Sequence, residues 1–557
     1  MAKAKSGKTT KSAVTKNIKT EIKTVSKKNS PNIKPNPKNV TTVHETDFIT
    51  ESGNSNIHVH FHANDISTLQ GQSISFFSST AVQSDKLATI TEKEINKIFE
   101  VSLAEKMITG SANEVILFRE ANLNDFRHVF VVGLGSKAKI TSETIRQSAA
   151  ALIKEAKATK MEEIFVGIDS FSSSKNELNE YLQAFVEGLH LAAYSFDELK
   201  NINDTKQKKA IQIHLVSKNG KDKNLISAFQ SGTIIAEATN FAKRLGDLPG
   251  NLMTPTILAE SAMEAAIGTT LKVTAWDKAR IAKENMGGLL GVSEGSEQEP
   301  RFIIMEYFGA AKTEKPIVFV GKGLTFDCGG VSIKPSSKME EMKYDMCGGA
   351  AVIGTMLAIS RLKLKINVKA YIPATENMVN GKATKPGDVH TARNGKTFEI
   401  NNTDAEGRLI LADALCYACE QKPQVIIDTA TLTGAIVVAL GNIHTGYFSR
   451  NKELKNKIEK ASQKSEELVW HMPLVDHHVK DMKGTYADLS NMSYSGGAGS
   501  ATAAAFLEQF VDAEIPWAHF DIAGTAWACG NRINYCTPKG ATGVMIRTFL
   551  EITKQYI

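Results

Sequence analysis

The chain has 557 residues, 42% of them hydrophobic and 23% charged. That balance excludes wholesale disorder, collagen-like sequence and a coiled-coil rod, and the length allows two to four domains at about 100–200 residues each. The formal charge of +6 is uneven, because residues 1–40 hold eleven lysines against one acid, Glu21; the rest carries about −4 and shows no global nucleic-acid footprint.

Residues 1–55 read as a basic tail and linker, rich in Lys, Thr, Ser and Asn, with the proline-spaced SPNIKPNPKN inside it. Val14, Ile18, Ile22 and Val25 recur at helical spacing among lysines, but all four are β-branched and threonines interrupt them. A solvated tail is expected there. The alternatives are a targeting segment, which would make the protein organellar, and a contact with nucleic acid or lipid.

From Asn56 to Val216 short apolar strands alternate with helical stretches: IHVHFHA, VILF, HVFVVGLG, a helix over Ile145–Ala158, EIFVGI, a helix around Leu182–Ala193, and IQIHLV. Alternation of this kind predicts a parallel α/β sheet. The first domain is placed at 56–224, a connecting helix at 225–245, and a larger second domain at 246–557, entered through DLPGNLMTP. The second unit alternates again through LKVTAW, RFIIMEY, PIVFVGKG, a helix over Ala350–Arg361, INVKAYIPA, TFEINN, a helix over Leu409–Glu420, and VIIDTA. The fold class is therefore α/β in two domains, a smaller N-terminal α/β domain and a larger C-terminal α/β domain with a mixed, mostly parallel sheet covered by helices.

The longest apolar stretch, from Val425, is interrupted by Asp428 and several threonines and reads as buried core, not a membrane span. Six cysteines, Cys328, Cys347, Cys416, Cys419, Cys529 and Cys536, show no framework spacing. With no signal-peptide core after the start, they point to a reducing, cytoplasmic setting.

Four motifs carry little. Ser293 in GVSEG lacks the strand before and helix after that a nucleophile elbow needs. Gly133 and Gly135 follow a strand but read as a tight turn, because the next helix starts late. His58, His60 and His62 alternate on one strand face without a nearby carboxylate or Cys, and Cys416 and Cys419 form CxxC inside a helix; inert packing is favoured for both.

The chemistry is concentrated between Val318 and Leu409. VFVGKGLTFDCGGVSIKP ends a buried strand and follows it with Lys322, Asp327 and Lys334 in a glycine-rich segment, where ligands of open α/β sheets bind. MKYDMCGG puts Asp345 where a helix begins. TFEINNTDAEGRL places Asp404, Glu406 and Arg408 at alternate positions, expected on one side of an extended turn. Four carboxylates so close would repel unless cations lay among them. Two divalent ions would balance them, and oxygen donors suit Mg²⁺, Mn²⁺ or Zn²⁺. Spacing alone leads to a two-metal hydrolase, a group that includes aminopeptidases and phosphatases.

At these residues the chain resembles the cytosol (leucyl) aminopeptidases. NTDAEGRL stands intact from Asn402 to Leu409, and VGKGLTFDCGG, SIKP, MKYDM, DTATLTGA, SGGAGSATAAAFL, WAHFDIAGTAW and KGATG accompany it in order. The resemblance implies a smaller N-terminal domain, a C-terminal catalytic domain and a homohexamer acting on peptide substrates. It implies that Asp327 and Glu406 bridge two divalent ions, Zn²⁺, Mn²⁺ or Mg²⁺, with Lys322 and Asp345 completing one shell and Asp404 the other. A lysine ligates only as the neutral amine, so Lys322 would have its pKa driven down by the ions.

The same resemblance gives Lys334 the developing oxyanion and Arg408 a bicarbonate. Met342, Thr431, Gly434 and Ala541 would line the first side-chain pocket, an apolar lining that favours Leu or Met at the substrate N-terminus. Cys328, where the family commonly has a small hydroxyl, is expected to make activity sensitive to oxidation. Some members of the family bind DNA as hexamers, so a DNA-binding scaffold using the lysine-rich tail is the alternative.

Overall fold

The computed structural model describes residues 42–46, 57–80, 101–102, 104–121, 126–172, 174–201, 209–530 and 532–557. Most of the expected tail and linker therefore lies outside the described residues, and so do its targeting, lipid and nucleic-acid readings. Within that stretch, Thr42–Thr46 forms a strand, β1.

The first sheet adds β2 (Ile57–Ala63), β3 (Gly71–Ser79), β4 (Val115–Phe118), β5 (Phe126–Gly135), β6 (Glu163–Gly167) and β7 (Ile211–Ser217), in the order β1-β2-β7-β6-β3-β5-β4. The inner strands β2, β7, β6, β3 and β5 run parallel, and β1 and β4 cap the two edges antiparallel. β3 is a strand that the hydrophobic pattern does not announce. Its sequence GQSISFFSS carries four serines, all buried between β5 and β6, and small hydroxyls give no periodic apolar signal.

Helices follow three of the parallel strands, α1 (Ser142–Thr159) after β5, α2 (Lys175–Ala193) after β6, and α3 (Lys223–Asp247) after β7, while β2 reaches β3 through the 3₁₀ turn Ile66–Thr68. Thr141 caps α1 by accepting from the Thr144 amide, and Asp222 caps α3 by accepting from the Asn224 amide. α3 is buried along most of its length and packs on α2.

The second sheet contains β8 (Lys272–Trp276), β9 (Arg301–Phe308), β10 (Ile317–Gly321), β11 (Gly323–Asp327) and β12 (Asn367–Asn377), then β15 (Val425–Ala430), β16 (Thr445–Phe448), β17 (Val469–His471) and β19 (Trp517–Asp521). A separate small sheet holds β13 (Val389–Thr391), β14 (Thr397–Glu399) and β18 (Leu489–Ser490). The large sheet runs β17-β16-β19-β15-β10-β12-β9-β8, with β11 pairing beside the end of β12. β19, β15, β10 and β12 are parallel, while β8, β9 and β16 join antiparallel to their inner neighbours.

β10 shows why the central strands are continuously apolar. Ile317 and Phe319 join one core with helices α4 (Cys347–Arg361) and α7 (Ile546–Lys554), and Val318 and Val320 join the opposite core with α5 (Gly407–Glu420) and α6 (Gly499–Glu508). A strand covered on both faces has no polar side. α3 also packs on α4, tying the first sheet's helices to the second core.

Candidate metal and catalytic site

The site forms where β10 stops. Lys322 sits in the break between β10 and β11, its backbone held by Thr429 O and the Gly349 amide at 3.0 and 2.7 Å. Glycine is required here: a Cβ on Gly348 would meet Thr429 O at 2.3 Å, and one on Gly321 would meet Gly348 O at 2.7 Å. α4 therefore starts hard against the ends of β10 and β15, the carboxyl ends where open α/β sheets bind ligands.

Asp327 ends β11, Asp345 lies in the 3₁₀ turn Met339–Met346, and Asp404 and Glu406 lie in the loop before α5. Asp345 is thus two residues ahead of α4 and does not cap it, because the chain makes a tighter turn first. Asp404, Glu406 and Arg408 do not share one extended face either. Helix α5 begins at Gly407, so Arg408 is already helical, and the three side chains reach different partners.

Ligand oxygens of Asp327, Asp345 and Glu406 all lie within 4.8 Å of one another, and the three residues are buried. Lys322 Nζ contacts Asp345 Oδ2 at 2.8 Å and Glu406 Oε1 at 2.9 Å, and donates to Thr431 O at 3.2 Å. Lys334 Nζ contacts Asp327 Oδ2 at 2.8 Å and Asp404 Oδ1. All five expected metal ligands and Lys334 thus belong to one network.

The electrostatics show an excess of negative charge. Burial, then Glu406 and Asp345, pushes the Asp327 carboxyl well up; burial and Glu406 raise Asp345, to about 6, and Asp404. Glu406 alone among the four is lowered: burial opposes its charge, but Lys322 and Lys334 outweigh that. Burial also opposes the Lys322 ammonium, and Asp345, Glu406 and Asp327 more than compensate, so protein groups by themselves hold its pKa above the lysine range. The lowering expected from the resemblance depends on bound cations.

The residues fit divalent cations. Glu406 Oε2 is buried without a hydrogen-bond partner, a costly state for a carboxylate oxygen unless a cation meets it, and the surrounding donors are hard oxygens plus one amine.

Arg408 is also buried. Its Nη1 donates to Asn491 O at 2.8 Å, its Nε has no partner, and burial lowers its pKa to about 10. Of the expected pocket residues, Thr431 donates to Asp345 Oδ1 at 2.6 Å and so adjoins the cluster. Ala541 pairs with Trp527, whose Nε1 donates to Glu341 next to Met342. Gly434 is exposed at the start of its helix, and a Cβ there would meet nothing within 4 Å.

Sequence reasoning does not single out Asn377, Thr403 or Asn491. Asn377 donates to Asp327 Oδ1 at 2.9 Å and to Thr403 O at 3.0 Å; Thr403 Oγ1 donates to Gly329 O; and Asn491 accepts from the Asn401 amide and from Arg408. Each lies far from its partner along the chain, so no local spacing marks it.

The weaker motifs stay apart from the cluster. Ser293 ends a helix and donates to Leu290 O, and Gly135 takes φ +76° at a strand end. His60 bonds Gln212 and His62 bonds His214, nitrogen to nitrogen at 2.9 Å, with burial and the neighbouring rings lowering His62 to about 3. Cys416 and Cys419 are buried in the core.

The model of the cytosol aminopeptidase family catalytic domain matches residues 240–550, and that of the family's N-terminal domain matches residues 74–203. The chain belongs to the cytosol aminopeptidase family. A Bdellovibrio bacteriovorus protein named "Probable cytosol aminopeptidase" is 62% identical over 493 residues, covering 88% of this chain and 98% of its own. One of the same name from Nitrosococcus oceani is 42% identical, covering 78% and 86%.

Among solved structures, a variant of tomato leucine aminopeptidase aligns with TM-score 0.79 at 29% identity, over 91% of this chain and 97% of that one. The bottromycin maturation enzyme BotP in complex with Mn aligns with TM-score 0.76 at 29% identity, over 87% and 99%. This family member is a hydrolase, a metal-dependent aminopeptidase. No helix among its described residues is long and apolar enough to cross a membrane.

Proposed function

We propose that the enzyme releases N-terminal residues from peptides, bulky apolar ones such as Leu by preference. Two divalent cations, Zn²⁺ or Mn²⁺ with Mg²⁺ as a further candidate, would be held by Lys322, Asp327, Asp345, Asp404 and Glu406. The observation that carries this reading is the convergence of the three buried carboxylates of Asp327, Asp345 and Glu406, the last with its Oε2 unpartnered. When bound, such a pair supplies Lewis acidity and lowers the pKa of water.

The protein's own groups do the rest. Asn377 and the Gly329 amide hold Asp327 Oδ1, at 2.9 and 2.8 Å, leaving Oδ2 facing the cluster. Thr431 holds Asp345 Oδ1 in the same way. Lys334, tethered between Asp327 and Asp404, would donate from Nζ to a carbonyl oxygen that gains negative charge in the transition state. Arg408, its buried Nε unpartnered, is the group that would hold a bicarbonate, whose oxygen would supply a proton acceptor. Met342, Thr431, Gly434 and Ala541 are proposed to accept the first side chain.

The homohexamer and the cytoplasmic location belong to the same proposal. Val438 on the helix Gly434–Leu440, 91% exposed, and Trp470 on the edge strand β17, 57% exposed, are apolar surface available to a subunit contact. The test is a chelation and add-back assay on Leu-amide with Zn²⁺, Mn²⁺ and Mg²⁺, run beside Glu406→Ala. Activity that is lost on chelation, returns with a cation and is absent in the variant supports the reading; wild-type turnover by Glu406→Ala refutes the assignment.

A further inference from the structure

The turn that leaves β15 reaches into the metal cluster. Thr431 is its first residue: the carbonyl accepts from Lys322 Nζ at 3.2 Å, and the hydroxyl donates to Asp345 Oδ1 at 2.6 Å. Gly434, three residues on, opens the helix Gly434–Leu440. The position of this turn therefore bears on two of the ligands and two of the pocket residues proposed above.

Asp521 holds the turn from the neighbouring strand. It ends β19 and is the register partner of Ala430, the last residue of β15. After the Ile522 amide donates to Ala430 O at 2.8 Å the ladder stops, and the next amides need partners from elsewhere in a buried setting. The Asp521 side chain supplies them. Its Oδ1 accepts from the amides of Leu432 at 3.1 Å, Thr433 at 3.4 Å and Ala523 at 3.2 Å, and its Oδ2 accepts from the Thr433 hydroxyl at 2.5 Å. Asp521 is 1% exposed, so these donors have no water to turn to if the carboxyl group is removed.

Thr433 extends the hold to the helix. Its Oγ1 caps Gly434–Leu440 by accepting from the Ile436 amide at 3.2 Å, and it lies 2.7 Å from Ser500 Oγ at the start of α6. A hydroxyl has one proton, and directing it at Asp521 leaves the Thr433 oxygen free to accept from Ile436. One carboxyl group thus fixes the backbone at Leu432 and the cap at Thr433, and Thr431 is gripped between the last rung of β15 and the Leu432 amide.

We propose that Asp521 is a positioning residue for the metal site: through the turn Thr431–Thr433 it aims the Thr431 carbonyl at Lys322 and the Thr431 hydroxyl at Asp345, and so sets both side chains as ligands. This role rests on the ligand assignments proposed above for Lys322 and Asp345. None of the hydrogen bonds of Asp521 reaches a proposed ligand, so it acts through Thr431.

Calorimetric titration of the chelated full-length enzyme with Mn²⁺ tests this, beside steady-state hydrolysis of Leu-amide at rising Mn²⁺. Asp521→Ala should weaken Mn²⁺ binding by about 10–100-fold, the usual range for groups that orient a ligand. Asp521→Asn keeps an oxygen for the three amides and presents an NH₂ that Thr433 Oγ1 accepts, so its affinity should stay close to wild type. Because Asp521→Ala leaves buried donors unmet and weakens folding, Thr433→Val is the second variant. It removes one hydroxyl from the same network and should raise the half-saturating Mn²⁺ several-fold, while kcat at saturating Mn²⁺ returns to the wild-type value. A merely structural loss would instead lower the maximum rate through a smaller folded fraction and leave half-saturation in place.

Unchanged Mn²⁺ affinity in Thr433→Val, a lower maximum rate without a shift in half-saturation, or an Asp521→Asn variant as weak as Asp521→Ala overturns the role of Asp521. If the wild type binds Mn²⁺ in the same experiment, the metal reading stands without it; a wild-type enzyme that binds no Mn²⁺ overturns both.

Discussion

Asn377 and Asp327 are register partners on the last rung of the β11–β12 pair, and the Asn377 amide donates to Asp327 Oδ1 at 2.9 Å. The amide also reaches Thr403 O, so one side chain ties the carboxylate at the end of one strand to the loop that carries Asp404 and Glu406. Groups that orient a metal ligand in this way typically change metal affinity or activity by about 10–100-fold when removed. Asn377→Ala should therefore need more Mn²⁺ for half-maximal Leu-amide hydrolysis, by a factor in that range. A metal titration curve unchanged from wild type would sink this role.

Asp404→Ala removes one of the two carboxylates that hold Lys334. If Lys334 stabilises charge that develops only in the transition state, this variant and Lys334→Ala should each lower kcat by roughly 10²–10³-fold. Steady-state kinetics on Leu-amide at saturating metal provide the measurement, and a pure KM effect would point to substrate holding instead.

Gly348→Ala places a Cβ 2.3 Å from Thr429 O, a backbone atom with no room to retreat. Overpacking of this sort costs about 1–3 kcal/mol, and here it would also push α4 off the strand ends that set Lys322. The variant should unfold at lower denaturant and lose activity in the same preparation; a wild-type midpoint counts against the close approach.

Glu237 on α3 is buried, with Arg361 at 2.9 Å on one oxygen and no hydrogen-bond partner for the other. Burial, opposed by Arg361, pushes its carboxyl up to about 7. Between the unfolded value near 4.5 and the folded value the unfolded chain has lost this proton while the folded one keeps it, so stability falls as pH rises through that window and then levels. The penalty is at most about 3 kcal/mol. Glu237→Gln should flatten the decline in denaturation midpoint from pH 5 to 7.5; a slope equal to wild type would assign the decline to other groups.

Cys328 follows Asp327 but is buried, and burial raises its thiol. Low access and little thiolate oppose the oxidation sensitivity anticipated from its position. Iodoacetamide should leave most Leu-amide activity intact, and Cys328→Ser should behave as wild type under peroxide; rapid inactivation of the wild type alone would restore the earlier expectation.

Much of this protein was legible in its residues. Continuous apolar runs such as that of β10 announce strands covered on both faces, and the Asp-x-Glu spacing of Asp404 and Glu406 announces charge needing a counter-ion. NTDAEGRL carries the family. Local order was misread where the signal is not apolar or the turn is tight: β3 hides behind serines, Asp345 sits in a 3₁₀ turn, and Arg408 is inside α5.

Composition and periodicity follow from chain-local physics, so the sequence by itself determined the alternating elements, the apolar faces and which acids and lysines crowd one short stretch. Only the tertiary structure decided that Asn377 supports Asp327 and that Thr431 holds Asp345. Those partners are brought together by strand register and helix packing, and hydrogen bonds between residues 50 to 86 positions apart leave no periodic trace along the chain.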